Sequence, residues 1–340
     1  MKDIAIVILN WNGEQMMRRF LPSVLRHSAE ARVIVADNGS DDGSLQMLRS
    51  EFPTVEIIEL HQNYGFAEGY NRALQQVEAR YYLLLNSDVE VTPNWLQPLL
   101  SYMEAHHDVA ACQPKLLAEY DRTLLEYAGA AGGYIDYLGY PYCRGRIFNT
   151  VERDSGQYDT VADVFWATGA ALMVRADTYW AVGALDARFF AHQEEIDLCW
   201  RMRARGHRIV CVPASVVYHV GGGTLPKENP RKTFLNFRNN LYLLYKNLPD
   251  GQLRPVLRRR RWLDALAALM FLLKGQWRSF RAVLRARSTF RSQHHIFDAD
   301  RAANLAAAQA SSSRGTIKEI YPRSLLVEYY LRRHRRFSQL

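Results

Sequence analysis

Tyr81-Tyr82-Leu83-Leu84-Leu85-Asn86-Ser87-Asp88-Val89-Glu90-Val91 is the stretch on which the reading of this chain turns. Its bulky apolar run fits a strand buried on both faces, and the abrupt change to Asn-Ser-Asp delivers a polar cluster to the strand's carboxyl end. In open α/β sheets that end is where ligands bind. Asn-Ser-Asp strings also open turns, so this stretch by itself divides evenly between a turn and a site.

Three units of the same kind precede it. Ile4 to Leu9 runs into Asn10-Trp11-Asn12-Gly13 and then a helical pattern through Met16, Phe20, Leu21, Val24 and Leu25. Val33 to Ala36 ends in Asp37-Asn38-Gly39-Ser40-Asp41-Asp42-Gly43-Ser44, followed by a helix spaced by Leu45, Leu48 and Phe52. Val55 to Leu60 leads into Asn63-Tyr64-Gly65-Phe66-Ala67-Glu68-Gly69-Tyr70-Asn71 and a helix through Leu74 and Val77. Strands alternating with helices predict a mostly parallel sheet with right-handed crossovers. The polar strand ends (Trp11 and Asn12, Asp37, Gly65, Asn86 to Asp88) then lie along one edge and surround one ligand. Neither a glycine-rich dinucleotide fingerprint nor a Walker loop is present.

Beyond Asp88 the pattern predicts a helix over Trp95 to Met103 and a strand within Asp108 to Leu117. Residues 118–160 are rich in Gly, Tyr and Asp without a period and read as a long irregular connection of functional or mobile character. Val164 to Val174 predicts a strand interrupted at Gly169, where another backbone approaches closely. Phe189-Phe190-Ala191-His192-Gln193-Glu194-Glu195-Ile196-Asp197 opens a helix that Gly206 stops. Acids in a first turn satisfy the helix dipole. Yet Glu194 and Asp197 share a face while Glu195 points elsewhere, an arrangement in which one carboxylate reaches a site and the others hold the helix. Crowded carboxylates also raise one another's pKa and suit acid–base work. Two extended pieces, Ile209 to Pro213 and Ser215 to His219, end in His219-Val220-Gly221-Gly222-Gly223-Thr224, which reads as a ligand or phosphate neighbour. Phe234 to Leu248 is helical and carries Arg238, Asn239 and Asn240.

Taken together, these pieces resemble the family 2 glycosyltransferases of GT-A fold, in particular their bacterial rhamnosyltransferase-like branch. The resemblance covers about the first 250 residues. It rests on Ile8 to Asn12, Asp37 to Ser44, Asn63 with Gly65-Phe66-Ala67 and Asn71, Leu85-Asn86-Ser87-Asp88, Gly169-Ala170, Phe189-Phe190 with Glu194 to Leu198, and His219 to Gly222.

It implies an inverting transferase that takes a sugar from a nucleoside diphosphate-sugar. Trp11 and Asp37 would hold the base, Gly65 and Asn71 would line the nucleoside pocket, and Leu9 and Asn86 would belong to the same donor site. Gly169 and Ala170 would lie on the acceptor side. Asp88 matches the last acid of the family's Asp-any-Asp metal motif and His219 a histidine of the metal shell, so Mg²⁺ or Mn²⁺ would stabilise the departing diphosphate. Glu195 would be the general base, with Glu194 and Asp197 as supporting acids. Two departures stand out: Asn86 occupies the first acid position of the metal motif, and Glu195 stands where Asp is common.

Charge is divided unevenly. Residues 1–250 hold 24 basic and 30 acidic residues, and residues 251–340 hold 19 basic and 5 acidic. The expected organisation is therefore a GT-A domain over 1–250 and a basic amphipathic helical extension over 251–340. Arg258 to Arg261 precede Trp262 to Leu273, an apolar run too short to span a bilayer but suited, with the following arginines, to an anionic membrane interface. The same helices could instead pack on the catalytic domain. Nucleic acid is disfavoured because no recognised module accompanies the charge.

A strand starting at Ile4 and four cysteines without metal-ligand spacing predict a cytosolic protein with reduced thiols; the basic extension adds an expected peripheral position at the inner face of the cell membrane, and the resemblance implies a glycan or glycolipid acceptor. Two alternatives are a sugar-phosphate nucleotidyltransferase, disfavoured by the loop after the first strand, and a decayed binding protein, which Asn86 favours.

Overall fold

The computed structural model describes residues 3–221, 229–311 and 317–340, so Gly222, Gly223 and Thr224, like Ser312 and Ser313 of the serine-rich stretch, lie outside the described residues. The first half alternates as the hydrophobic pattern requires: β1 (Ile4–Asn10), α1 (Glu14–His27), β2 (Arg32–Asp37), α2 (Ser44–Glu51), β3 (Glu56–Glu59), α3 (Gly65–Leu74) and β4 (Tyr81–Asn86). β1 pairs in parallel with β2 and β4, and β2 with β3. Its register sets Asn10 opposite Asp37 and Leu9 opposite Asn86, which brings the polar strand ends to one edge.

β4 is buried on both faces. Tyr82 and Leu84 enter the core on one side of the sheet, and Tyr81, Leu83 and Leu85 enter the core on the other. The period of two in side-chain direction makes this division automatic once both faces are covered. The apolar stretch does not continue as one strand to Val91, however. It breaks at Ser87-Asp88, and β5 (Val89–Val91) leaves β4 to pair antiparallel with a strand near the C-terminal end of the domain.

After α4 (Leu96–Ala105) and β6 (Val109–Ala118) comes the segment expected to be irregular. It instead forms β7 (Gly133–Asp136), β8 (Pro141–Cys143), β9 (Arg146–Ile147) and β10 (Thr150–Val151), a small second sheet. The strands are too short to carry a readable period. β11 (Ala162–Asp163) and β12 (Ala171–Arg175) follow, so the strand expected over Val164 to Val174 begins only after Gly169. β12 inserts antiparallel between β4 and β6. Then come α5 (Ala176–Ala181), α6 (Glu194–Ala204) and β13 (Arg208–His219), a single strand whose register shifts between Val212 and Val216, where two pieces were expected. The main sheet runs β11-β13-β6-β12-β4-β1-β2-β3, with β5 beside β13.

The C-terminal part is helical: α7 (Pro230–Asn247), α8 (Asp250–Leu273), α9 (Trp277–Gln293) and α10 (Asp298–Ala310). α9 packs on α7 and α8, and α10 packs on α7 and α6. β14 (Ile320–Tyr321) then joins the second sheet beside β7, and the Phe337 ring lies against Tyr134, Tyr142 and Tyr158. The four cysteines are buried and unpaired. No helix among the described residues is long and apolar enough to cross a membrane.

Candidate active site

At the carboxyl ends of β1 and β2 the side chains cross-link two loops. Asn10 Nδ2 donates to Asp37 Oδ1 and to Ser40 Oγ, both at 3.2 Å, and the Ser40 amide donates to Asp37 Oδ2 at 3.0 Å. Asn12 Oδ1 accepts from the Asp41 amide at 2.9 Å. Asp42 accepts from the amides of Glu14 and Ser44, which ties the starts of α1 and α2 together. Asp37 is 1% exposed with both oxygens engaged, so it shapes this edge from beneath, while Trp11 stands above it at 44% exposure. An exposed aromatic face can stack on a planar group.

Gly65 and Asn71, expected to line a nucleoside pocket, are both held by contacts within the scaffold. Gly65 has φ +80°, and a Cβ there would sit 2.5 Å from the Phe190 ring. Asn71 Nδ2 donates to the Leu185 carbonyl at 2.7 Å, and its Oδ1 accepts from the Tyr179 hydroxyl at 2.6 Å. Leu9 packs under α3 at Gly69, whose lack of a Cβ permits the approach.

At the β4–β13 end, Asp88 Oδ1 lies 3.2 Å from His219 Nε2, and Asn86 Nδ2 lies 3.5 Å from the same nitrogen. Behind the ring stands Glu126, buried, with Oε1 3.4 Å from His219 Nδ1 and Oε2 accepting from the Ala128 amide at 2.6 Å. Burial opposes a charged imidazole, but Glu126 and Asp88 outweigh it and raise His219 to about 10. Burial likewise pushes the Asp88 carboxyl up, and the His219 bond overrides it and holds the group below its ordinary value. Glu126 was missed by sequence reasoning because it follows no polar strand end. The aperiodic segment 118–160 hides it, and the only signal is a lone acid between Leu124-Leu125 and a small-residue run.

The third corner is built by strain. Phe190, His192 and Gln193 all have positive φ, at 66°, 71° and 70°. Such residues cost on the order of 1–3 kcal/mol each and persist only when clamped. α7 supplies the clamp: Asn239 Nδ2 donates to the carbonyls of Phe189, Ala191 and His192 at 3.0, 2.8 and 2.8 Å, and Asn240 donates to Gln193 Oε1 at 2.9 Å. The Phe190 carbonyl in turn accepts from the Phe66 amide at 2.7 Å, so one loop fixes α3, α6 and α7 relative to each other.

From that loop α6 projects its acids in different directions. Asp197 does not share a site with Glu194; it turns away into a buried ionic cluster with Arg201 and Lys246. Glu195 is partly exposed, and its Cβ lies 4.0 Å from where a Cβ on Gly169 would be. The Oε2 atoms of Glu194 and Glu195 find no hydrogen-bond partner among the described residues. Burial raises Glu195 to about 7; burial and then the neighbouring Glu195 charge push Glu194 well above the usual carboxylate range. Glu195 is therefore the member of the pair that loses its proton first, and it does so around neutral pH. Ala170 completes the edge, since its carbonyl accepts from the Asn86 amide at 3.0 Å and so joins the Glu195 corner to the Asp88–His219 corner.

Residues 5–157 match the family model described as Glycosyl transferase family 2. Over those residues the chain carries a family 2 glycosyltransferase domain. It is 26% identical over 233 residues to the N-acetylglucosaminyl-diphospho-decaprenol L-rhamnosyltransferase of Mycobacterium tuberculosis H37Rv, spanning 64% of this chain and 75% of that protein. It is 24% identical over 223 residues to Rhamnosyltransferase WbbL of Escherichia coli K12, with 64% and 83% covered. Among solved structures it resembles S. aureus TarS 1-349 in complex with UDP-GlcNAc, with TM-score 0.54, 17% identity, and 94% and 93% of the two chains covered. It also resembles the mannosyltransferase PcManGT from Pyrobaculum calidifontis in complex with GDP-Man and Mn²⁺, with TM-score 0.52, 11% identity, and 90% and 86% covered. These likenesses carry the GT-A fold.

By that match the chain is a glycosyltransferase. The family match ends before Glu195 and His219, so the weight on those residues of the transferase comes from their geometry. Asp88, His219 and Asn86 are the candidate donors for a divalent ion here, and His219, held protonated between Glu126 and Asp88, would have to give up a proton before its imidazole could ligate one. No group of three or more His, Cys, Asp or Glu side chains among the described residues is arranged to hold a metal alone. Diphosphate oxygens would have to fill the remaining positions, as is usual for Mg²⁺.

Proposed function

We propose that this glycosyltransferase inverts configuration as it moves a rhamnosyl group from a nucleoside diphosphate-sugar to a hydroxyl of a lipid-linked cell-envelope glycan, working as a peripheral protein at the inner face of the cell membrane. The sugar and the lipid-linked acceptor are suggested by the rhamnosyltransferase names of the relatives, one of which includes a diphospho-decaprenol. The observation that carries the reading is the Glu195 carboxyl, whose buried Oε2 finds no hydrogen-bond partner among the described residues, beside Gly169 on the edge that also holds Asp88 and His219.

In this reading Trp11 stacks on the base, and the Asp37 lattice keeps that platform rigid. Asp88 and His219 would hold a divalent ion together with the donor's diphosphate; such an ion, when bound, neutralises charge developing on the leaving group. Gly169 and Ala170 leave room for the acceptor beside Glu195. Glu195 takes the proton of the acceptor hydroxyl as its oxygen attacks the anomeric carbon from the face opposite the departing diphosphate. Glu194, kept protonated, adds no competing charge. Asn71, Gly65 and Asp197 act through the scaffold.

A thermal-shift screen of UDP-, GDP- and dTDP-sugars with and without Mn²⁺ tests the donor assignment, because a ligand that binds only the folded state raises its apparent stability. A clear upward shift with one nucleotide class is expected; no shift with any of them overturns the reading. For the metal corner, Glu126→Gln removes the charge that fixes the His219 ring. It is expected to weaken Mn²⁺ binding in the presence of the selected nucleoside diphosphate by roughly 10–100-fold, measured by calorimetry, as is typical when the outer partner of a ligating histidine is lost.

A further inference from the structure

α8 is amphipathic in the inverted sense. Its packed face carries Leu253, Val256, Arg260, Asp264 and Ala268. Arg260 donates to the Leu138 carbonyl at 2.9 Å and pairs with Asp264 at 3.1 Å, and Asp264 also meets Arg287 of α9 at 2.5 Å. These directional contacts leave the helix one rotation about its axis. At 100° per residue that rotation turns Trp262, Leu266, Leu269, Met270 and Leu273 to the opposite side. There they face solvent, Trp262 at 72% and Leu273 at 79% exposure, and Trp277 at the α8–α9 turn extends the stripe at 61%. A contiguous apolar stripe of this kind on a soluble surface marks an interaction site.

Charge indicates what seats there. Arg258, Arg259 and Arg261 are exposed at one end of the stripe, and Lys274, Arg278 and Arg281 are exposed at the other. A second copy of the chain laid against the stripe with either polarity would oppose basic clusters of the same sign. A bilayer with anionic headgroups meets both the apolar stripe and its basic flanks, each Lys or Arg near such a surface contributing on the order of 1 kcal/mol.

We propose that the outward face of α8, with Trp277, is the surface by which the transferase lies on an anionic membrane, its apolar side chains inserted at the level of the headgroups. The inference rests on the reading above that the acceptor is lipid-linked, and it adds the face that brings the site to that acceptor. Charge alone would place the contact anywhere on the basic extension; the rotation of α8 fixes it to one side.

The test is co-sedimentation of the full chain with phosphatidylcholine vesicles and with vesicles containing about 30% phosphatidylglycerol. The wild type is expected to sediment with the anionic vesicles only. The combined variant Trp262→Ser/Leu266→Ser/Leu273→Ser is expected to bind them at least roughly tenfold more weakly. These positions are exposed, so circular dichroism and the nucleotide-sugar thermal shift should be unchanged, which separates this result from any failure of the donor assignment. Equal sedimentation of variant and wild type overturns the proposal. So does a lipid-free wild-type dimer that the variant converts to monomer, since the stripe then belongs to a second copy.

Discussion

Glu195→Gln is expected to lower sugar transfer by about 10²–10⁴-fold while donor binding is retained, because the amide keeps the shape of the side chain and loses only the ability to take a proton. The substitution is conservative at this position. Among the described residues Glu195 carries no ion pair and its Oε2 has no hydrogen-bond partner, so little of the described scaffold depends on its charge. The pH dependence follows from its surroundings. Burial raises the carboxyl to about 7, against the opposing pull of backbone N–H groups over residues 193–196. A base must be deprotonated to work, so the wild-type rate should rise with pH and reach half its plateau near 7, and the residual rate of the Gln variant should lack that limb. Single-turnover rates across pH together with donor calorimetry check both parts. A Gln variant that transfers sugar at the wild-type rate, or one that no longer binds donor, removes Glu195 from the role of base.

The same residue shows where sequence reasoning reached and where it stopped. The alternation of β1 to β4 with α1 to α3 was legible because each element buries a continuous apolar set and ends in a polar turn, signals that live within a few residues. The sheet edge followed from that alternation. What could not be read was long-range: that β12 inserts antiparallel beside β4, that residues 118–160 form a second sheet completed from the C-terminal end at Ile320–Tyr321, and that Glu126 stands behind His219. Each depends on a partner some 85 to 190 residues away, about which local periodicity carries no information. The acids of α6 are the sharpest case. Their spacing suggested a shared face for Glu194 and Asp197, but the strained Phe190–Gln193 loop sets the helix start, and α7 draws Asp197 into the scaffold.

Asp197→Ala should therefore act on stability. The carboxylate is 0% exposed; Oδ2 meets Arg201 Nε at 2.9 Å and Lys246 Nζ at 2.8 Å, and Oδ1 accepts from Asn247 Nδ2 at 2.8 Å. Lys246 is itself buried and, once Asp197 is gone, keeps Asp186, at 2.6 Å, as its one anionic partner among the described residues. Removing one member of a buried ionic cluster leaves uncompensated charge in a medium that solvates it poorly, and a loss of about 3–5 kcal/mol is expected. Denaturant unfolding should show a lower midpoint with an unchanged slope. Burial raises the Asp197 carboxyl, and Lys246 and then Arg201 override it, so the folded value lies below the ordinary 3.8. Its contribution is thus present above that ordinary value and is lost as pH falls through the depressed one. Acid unfolding of the wild type should steepen below about pH 4, and the Ala variant should lack that component. The decisive comparison is transfer by the Ala variant at a temperature where it remains folded. A scaffold residue leaves the rate per folded molecule near that of the wild type, whereas a specific loss of rate in folded protein would place Asp197 back in the chemistry beside Glu195.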